Sequence, residues 1–252
     1  MELGLQGRVA LITGAAVGIG ACIAESLAQE GCPVWIGDRN ARQAKRTADR
    51  LRAAGLQAQA VTLDVSRPES AADAVARILA VDGRLDILVC NAGILTTGSF
   101  LDSSPQDWES IMAVNLVGVA NCVREAAGPI ARQGGGRVVN IASISAMRGG
   151  GSIGNTLYGT SKAGVVALTM GLARELGPAG ITVNAVAPAV ADTPMTRATL
   201  TDEVRDRIVS RVPLGRLATP TDIADAVTFL ASDRASFISG VVLPVDGGIL
   251  TT

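Results

Sequence analysis

The side chains most suited to chemistry in this sequence are a tyrosine and a lysine four residues apart. Tyr158 is the only tyrosine of the chain, and Lys162 is one of two lysines. Residues four apart on a helix share one face, so an ammonium group would lie beside the phenol. Such a charge favours the phenolate and lowers the tyrosine pKa from about 10 toward neutrality. The pair predicts proton transfer by a phenol, with a purely structural tyrosine as the alternative.

The composition disfavours several other kinds of protein. The chain has no histidine, which removes the base of a Ser-His-Asp triad and the commonest metal ligand, so we expect no metal site. Its formal net charge is -1, which argues against nucleic acid and anionic membranes as partners. The four cysteines form no Cys-x-x-Cys pair, and no apolar run reaches about 18 residues. We expect a cytoplasmic protein with reduced thiols.

A glycine-rich segment joins the first predicted strand to a helix. Its pattern is Thr13-Gly14-x-x-x-Gly18-x-Gly20. Glycines let the backbone turn tightly and approach a ligand, and N–H groups at the helix start face an anion such as a pyrophosphate. Glycines also serve ordinary strand-to-helix turns, so the nucleotide interpretation depends on the strand, loop and helix context.

The residue that ends the second predicted strand bears on which nucleotide is bound. Asp38 lies 18 residues beyond Gly20. A carboxylate there accepts the ribose hydroxyls and repels a 2′-phosphate, which favours NAD over NADP. Arg39 opens a basic run and could instead reach a 2′-phosphate, although a solvated helix face explains most of that run.

Short Val-, Ile- and Leu-rich runs alternate with longer Ala-rich segments of helical period, which indicates a parallel sheet with crossover helices. The predicted strands are Val9–Thr13, Val34–Gly37, Ala58–Thr62, Ile87–Cys90, Arg137–Ile141, Ile181–Val186 and Val241–Val245. The predicted helices are Ile19–Glu30, Ala41–Ala54, Pro68–Val81, Pro105–Arg132, Leu157–Leu176 and Thr221–Ala231. We expect an α/β fold, a Rossmann-like doubly wound parallel sheet of about seven strands with helices on both faces, in a single domain over residues 1–252.

One connection, residues 188–212, is long for an α/β fold. It contains Pro188, Pro194 and a short polar helix predicted at about Asp202–Arg211. Because it follows a strand of the sheet, we predict a substrate-binding lid. An ordinary surface excursion is the alternative.

Over essentially its full length, the sequence resembles the classical short-chain dehydrogenases/reductases. The motifs that carry this resemblance stand in order: Thr13-Gly14-x-x-x-Gly18-x-Gly20, Asn91-Ala92-Gly93, Asn115, Ser143, Tyr158-x-x-x-Lys162, Asn184-Ala185-Val186-Ala187-Pro188 and Asp246-Gly247-Gly248. The resemblance implies an NAD(P)-dependent oxidoreductase that moves a hydride between nicotinamide and a secondary alcohol or ketone.

The resemblance also implies catalytic roles. Tyr158 would be the acid or base, and Lys162 would hold the nicotinamide ribose and tune the tyrosine. Ser143 would hydrogen-bond the substrate oxygen, and Asn115 would help a water relay the proton.

The implied cofactor contacts follow the ends of predicted strands, where open α/β sheets bind ligands. Asp64 and Val65 would meet the adenine, and Thr193 the carboxamide. Asn91 and Asn184 could instead bind only the backbone at strand ends. The complete cofactor set is Gly14, Val17, Gly18, Ile19, Gly20, Asp38, Arg39, Asp64, Val65, Asn91, Ala92, Gly93, Tyr158, Lys162, Pro188, Ala191 and Thr193.

Two departures from the family pattern matter. Pro188-Ala189 stands where Pro-Gly is usual, so the backbone there must avoid positive φ or accept strain. Ser143 lies fifteen residues before Tyr158, whereas thirteen is the common interval and Ser145 meets it. We choose Ser143 because the preceding strand would deliver it to the site.

The candidate wall of the substrate site is mostly apolar, which suggests an alcohol or ketone with a hydrophobic body and leaves 3-oxoacyl and sugar or polyol substrates open. The wall residues are Ile94, Leu95, Thr96, Met147, Ile153, Val190 and Met195. The expected substrate contacts are Ser143, Ser145, Ile153, Tyr158 and Val190. Arg148 and Arg197 are close enough in sequence to admit an anionic group.

Two other functions remain alternatives. A methyltransferase would also bind adenosine beside a glycine loop, but it would not need Tyr158 and Lys162. A non-catalytic NAD(H)-sensing protein could use the same scaffold. The resemblance implies a homotetramer or homodimer, with the helices Pro105–Arg132 and Leu157–Leu176 packing across a two-fold axis.

Overall fold

The computed structural model describes residues 2–197 and 199–251. The strands are β1 (Ala10–Thr13), β2 (Val34–Asp38), β3 (Ala58–Thr62), β4 (Ile87–Cys90), β5 (Gly136–Ile141), β6 (Ile181–Pro188) and β7 (Val242–Val245). The α-helices are α1 (Gly18–Gln29), α2 (Ala41–Ala53), α3 (Pro68–Asp82), α4 (Pro105–Met112), α5 (Gly118–Arg132), α6 (Ser145–Arg148), α7 (Thr156–Leu176), α8 (Asp202–Val209) and α9 (Pro220–Ala231). The seven predicted strands are confirmed, with ends that differ by two residues or fewer.

The strands form one parallel sheet in the order β3-β2-β1-β4-β5-β6-β7. The order reverses between β1 and β4, and in open α/β sheets a crevice for ligands forms beyond the carboxyl ends at such a point. The predicted doubly wound fold is therefore confirmed.

Helices cover both faces of the sheet because its strands are apolar on both sides. On one face α1 packs against β1 and β2, α2 against β2 and β3, and α9 against β5 and β6, through buried residues such as Ile23, Leu51 and Ile223. On the other face α3 packs against β3 and α5, while α5 and α7 pack against β5 and β6, through Ile78, Val123 and Val165. Both layers pack against the sheet, and the predicted site residues lie at its carboxyl edge.

The predicted helix Pro105–Arg132 is interrupted. Between α4 and α5, Ala113–Val117 form a π-helical turn that contains Asn115. A single π turn inserts one extra residue into a helix and is frequent at functional sites. The side-chain contacts of Asn115, described below, explain why the extra residue is accommodated here.

The long connection after β6 packs on a small apolar cluster of its own. Ile208 of α8 is buried with Val212 and Leu217, together with Ile144 and the C-terminal Ile249. The predicted helix Asp202–Arg211 ends at Val209 instead. None of the helices in the described ranges is both long enough and apolar enough to cross a membrane.

Candidate active site

A cavity of about 380 Å³ lies beyond the carboxyl ends of the strands. All of the predicted catalytic, cofactor-binding and substrate-contact residues except Asn115 line it. The topology explains this convergence, since segments far apart in sequence leave neighbouring parallel strands at the same edge. The cavity has one end bounded by Asp38 and Asp64 and another bounded by Ser143 and Tyr158.

The glycine loop forms the floor between the two ends. Gly14 has φ +63°, and a Cβ there would lie 2.7 Å from the Cα of Ala92. Val17 caps α1 without a side-chain hydrogen bond, so no side chain occupies the N–H groups at the helix start. Gly18, Ile19 and Gly20 line the cavity here, and this arrangement suits a pyrophosphate.

At the first end, Asp38 is held by the backbone on both sides. Its Oδ2 accepts from the Ala16 N–H at 3.1 Å and its Oδ1 from the Asn40 N–H at 2.9 Å. Asp64 accepts from the hydroxyl and the N–H of Ser66, and these hydrogen bonds keep the pKa of Asp64 below its usual value. This end therefore presents two fixed carboxylates beside the exposed Arg39.

At the other end, Ser143, Tyr158 and Lys162 come together. Ser143 follows β5, and its hydroxyl lies close enough to Tyr158 to lower the pKa of the phenol. Lys162 is only 4% exposed, and its Nζ donates to the Ile141 carbonyl at 2.7 Å. The same Nζ lies 6.0 Å from the centroid of the Tyr158 ring. The predicted side-by-side placement of phenol and ammonium on α7 is present in the structure.

Burial moves the two pKa values in opposite directions. Loss of solvent raises the pKa of Tyr158, and the Ser143 hydroxyl only partly opposes this. Burial also lowers the pKa of Lys162 from 10.5 to about 8. The ammonium therefore does not by itself bring the phenol to neutrality, contrary to the simplest interpretation of the four-residue spacing.

Asn115 lies behind the cavity and does not line it. Its Oδ1 accepts from the Ile94 N–H at 2.8 Å, and its Nδ2 donates to the Ile94 carbonyl and the Ser161 hydroxyl, both at 3.0 Å. These bonds tie the π turn to α7 and to the segment after β4. The observed contacts of Asn115 are structural, and its part in a proton relay stays a prediction.

The two candidate serines occupy different positions. Both line the cavity, but Ser143 is the one whose hydroxyl lowers the pKa of Tyr158. Ser143 Oγ also accepts from the Ser145 N–H at 3.1 Å. Ser145 begins α6, a helix of four residues that ends at Arg148 and that the sequence did not reveal.

Pro188 lies at the end of β6, and the backbone continues past it without strain. The Ala189 N–H donates to the Val245 carbonyl at 3.0 Å. Among the described residues, no non-glycine residue has positive φ, so alanine is accommodated where glycine is usual. Asn91 donates to the carbonyls of Thr13 and Gly14, both at 2.9 Å, and it also lines the cavity.

Asn184 contributes only to the framework. It donates to the Ile238 carbonyl and accepts from the Val241 N–H, and the cavity does not include it. This is the structural alternative that the sequence left open.

The substrate wall differs in part from the expected one. Five of the seven wall residues line the cavity, whereas Thr96 donates its hydroxyl to Asn155 and Met147 is exposed. Residues that the sequence did not place in a site also line it, namely Leu63, Val114, Ile141, Ala142, Ile144, Gly151, Ser152, Gly154, Ala189, Pro194, Thr196 and Ile249. Arg148, considered only by its nearness in sequence, lines it as well.

Comparison with known proteins gives matches along the whole chain. A family model described as enoyl-(acyl carrier protein) reductase matches residues 14–250. A 3-oxoacyl-[acyl-carrier-protein] reductase of Aquifex aeolicus is 39% identical over 250 residues, which are 99% of this chain and 100% of that protein. A (2S)-[(R)-hydroxy(phenyl)methyl]succinyl-CoA dehydrogenase subunit of Thauera aromatica is 40% identical over 246 residues, 98% of each chain.

Solved structures agree with this picture. A gluconate 5-dehydrogenase of Burkholderia cenocepacia, in complex with NADP and tartrate, has a TM-score of 0.94 at 34% identity and covers 100% of this chain and 98% of its own. A candidate NAD(P)-dependent gluconate 5-dehydrogenase of Beutenbergia cavernae with bound NADP has a TM-score of 0.94 at 38% identity, with complete coverage of both chains.

Proposed function

Since the chain belongs to the classical short-chain dehydrogenase/reductase family and is an NAD(P)-dependent oxidoreductase, we propose that Tyr158 carries the proton of the reaction between a secondary alcohol and its ketone. The observation that carries this proposal is the contact of Tyr158 with Ser143 in the cavity, with Lys162 buried behind the ring. No other tyrosine and no histidine could replace it, because the chain has none.

The nicotinamide, when bound, supplies the hydride acceptor or donor, and the chain supplies position and proton transfer. In reduction, Tyr158 gives its hydroxyl proton to the carbonyl oxygen as that oxygen gains charge. The Ser143 hydroxyl, beside the phenol, donates a hydrogen bond to the same oxygen and stabilises the charge. Oxidation runs the same steps in reverse, so Tyr158 must first lose its proton.

Lys162 has two tasks in this proposal. Its charge stabilises the phenolate that forms when Tyr158 gives up its proton. Its remaining N–H groups face the cavity, since one is fixed on the Ile141 carbonyl, and they suit a ribose hydroxyl. The fixed bond to Ile141 prevents the long side chain from turning away.

The remaining cofactor contacts follow the two ends of the cavity. The uncapped start of α1 suits the pyrophosphate, and the segment Asn91-Ala92-Gly93 forms the wall between the ends. Asp64 and Val65 are proposed to meet the adenine, and Thr193 the carboxamide. Thr193 is 6% exposed, and its N–H is hydrogen-bonded to the Thr196 hydroxyl, which fixes its position.

For the adenosine ribose we propose NAD as the preferred cofactor. The Asp38 carboxylate is fixed by two backbone N–H groups and cannot easily turn away from a 2′-phosphate. NADP is the alternative: two structural neighbours are described with bound NADP, and Arg39 lines the cavity beside Asp38. The preference for NAD or NADP therefore depends on the fixed Asp38 carboxylate and the exposed Arg39 guanidinium.

We propose further that the chain is one domain in which residues 188–212 act as a lid over the substrate. Its support is the set Pro188, Val190, Ala191, Thr193 and Met195, all of which line the cavity. We propose a cytoplasmic homotetramer or homodimer acting on a small molecule. Exposed apolar side chains on the helix face of Met170 and on the π turn at Val117 support an interface between copies.

The test follows reduced-nicotinamide absorbance with a panel of sugar, polyol, steroid and hydrophobic secondary alcohols, each offered with NAD+ and with NADP+. We expect NAD+-linked turnover that falls by at least about a hundredfold in Tyr158→Phe. Calorimetry with NADH checks that the variant still binds cofactor. Undiminished turnover by Tyr158→Phe would refute the assignment, and a preference for NADP+ would refute the role of Asp38.

A further inference from the structure

The cavity contains a cation that the proposed chemistry does not use. Three cationic side chains line it: Arg39, Arg148 and Lys162. Lys162 is held on the Ile141 carbonyl, and Arg39 lies in the field of Asp64 at the adenosine end. Arg148 has no ion-pair or hydrogen-bond partner among the described residues.

The position of Arg148 is at the substrate end. It is the last residue of α6, three residues after Ser145, and residues three apart share a helix face with Cβ atoms about 5–6 Å apart. The glycines that follow α6 lie against the start of α7: a Cβ on Gly159 would be 2.4 Å from the Gly150 nitrogen. Arg148 is thus anchored beside the helix that carries Tyr158.

The charged side chains that line the cavity are unevenly distributed, with the carboxylates far from Arg148. The acidic side chains that line the cavity in the described part of the chain are Asp38 and Asp64, both at the adenosine end. Two arginines of the lid, Arg205 and Arg197, lie 2.8 and 4.0 Å from the carboxylate of Asp192, and neither of them lines the cavity. At the substrate end, Arg148 lines the cavity together with Leu95, Ile153 and other apolar groups.

From this arrangement we propose that Arg148 determines specificity by binding an anionic group of the substrate, so that the preferred alcohol or ketone carries a carboxylate or a phosphate. Because Arg148 lines the cavity together with Ser143, Tyr158 and apolar side chains, the anion would lie apart from the reacting carbon, with an apolar segment between. A guanidinium recognises both anions through two parallel hydrogen bonds. This rests on the proposed function, because it takes Ser143 and Tyr158 as the reacting end.

The test compares matched pairs of ketones that differ in one charge. They are 4-oxopentanoate with its methyl ester, 6-oxoheptanoate with its methyl ester, and dihydroxyacetone phosphate with dihydroxyacetone. Binding to the enzyme saturated with oxidised cofactor is measured by calorimetry, where ketone and oxidised nicotinamide cannot react. Turnover with NADH and with NADPH is measured separately. The oxo acids and the phosphate distinguish the two sources of anion.

We expect at least one anion to bind roughly tenfold or more tightly than its neutral partner, the range of a hydrogen bond to a charged group. Arg148→Gln should abolish that difference and raise KM with little change in kcat, while Arg148→Lys retains part of it. The preference should weaken with added salt, because the site is exposed. Arg77→Gln is the matched control: it removes an equal charge from an exposed side chain of α3, outside the cavity and the proposed lid, and should leave the preference intact.

Equal binding of all pairs by the wild type overturns the proposal for Arg148, and so does an equal loss for both members of a pair in Arg148→Gln. In either case turnover of the neutral ketones leaves the proposed function standing. Conversely, Arg148-dependent binding of an anion without any turnover supports the role of Arg148 and counts against the proposed chemistry.

Discussion

Replacing Lys162 by methionine should remove activity while changing how stability depends on pH. Methionine is unbranched and of similar length, so it fills the space that Lys162 occupies inside the protein. The variant loses the charge beside Tyr158 and the hydrogen bond to the Ile141 carbonyl. Turnover should fall because the phenolate loses its stabilising cation.

The size of the stability effect follows from the lowered pKa of Lys162. Between its folded pKa of about 8 and its ordinary value of 10.5, the unfolded chain binds more protons at this group than the folded protein does. The free energy of unfolding therefore rises with pH in this window. As the pH falls from 10.5 to about 8, this gain in stability is lost. The gain between pH 7 and pH 9.5 is roughly 2 kcal/mol, since a tenfold change in proton binding is about 1.4 kcal/mol.

Urea unfolding of both proteins at pH 7 and pH 9.5, without added cofactor, measures this directly. The difference between wild type and variant isolates Lys162, because the raised pKa values of Tyr158 and the buried Cys122 lower the stability of both proteins at high pH. Between the two pH values, the free energy of unfolding of the wild type should increase by roughly 2 kcal/mol relative to that of the variant. A difference that stays constant, or that moves the other way, would refute the argument that Lys162 is charged at a desolvation cost.

Two further substitutions examine the rest of the site. Ser143→Ala should reduce kcat by roughly a hundredfold and Ser145→Ala by much less, because only the first removes the hydroxyl beside the phenol; a larger loss for Ser145→Ala in steady-state kinetics would reverse the assignment. Gly14→Ala should lower Tm and weaken NADH binding. The positive φ should reduce the free energy of unfolding by roughly 1–2 kcal/mol, and the Ala92 contact at 2.7 Å should reduce it further. Gly55→Ala, with φ +80° and open space around it, is the control for conformational strain alone, and an equal loss in both variants would contradict the role of that contact.

The regular elements could be predicted because their signals are local. A buried parallel strand such as Val138–Ile141 is a short apolar run, and the intervening helices have the helical period. The π turn could not be predicted in this way, since the sequence Ala113–Val117 is compatible with an ordinary helix. What fixes it is Asn115 bonded to Ile94 and Ser161, both distant in sequence.

The same distinction applies to the site. Residues directly after strands could be predicted to meet, because parallel strands deliver their carboxyl ends to one edge. Ile249 comes from the chain's far end, and Arg148 comes from a four-residue helix set by the glycines around it. Neither position can be predicted from a local sequence pattern. The same is true of the burial that shifts the pKa values of Tyr158 and Lys162.

That burial bears on the direction in which the site works most easily. Near neutral pH Tyr158 keeps its proton, because desolvation raises its pKa, and Lys162 with a pKa of about 8 is mostly charged. The pair then presents a phenol ready to give a proton and a cation ready to stabilise the phenolate, which is the form that ketone reduction requires. Alcohol oxidation needs the phenol to lose its proton first, against the same desolvation. In the proposed mechanism, the resting protonation of Tyr158 and Lys162 therefore favours reduction. Oxidation would require the phenol to lose its proton first, which a higher pH, or the positive charge of a bound oxidised nicotinamide, would favour.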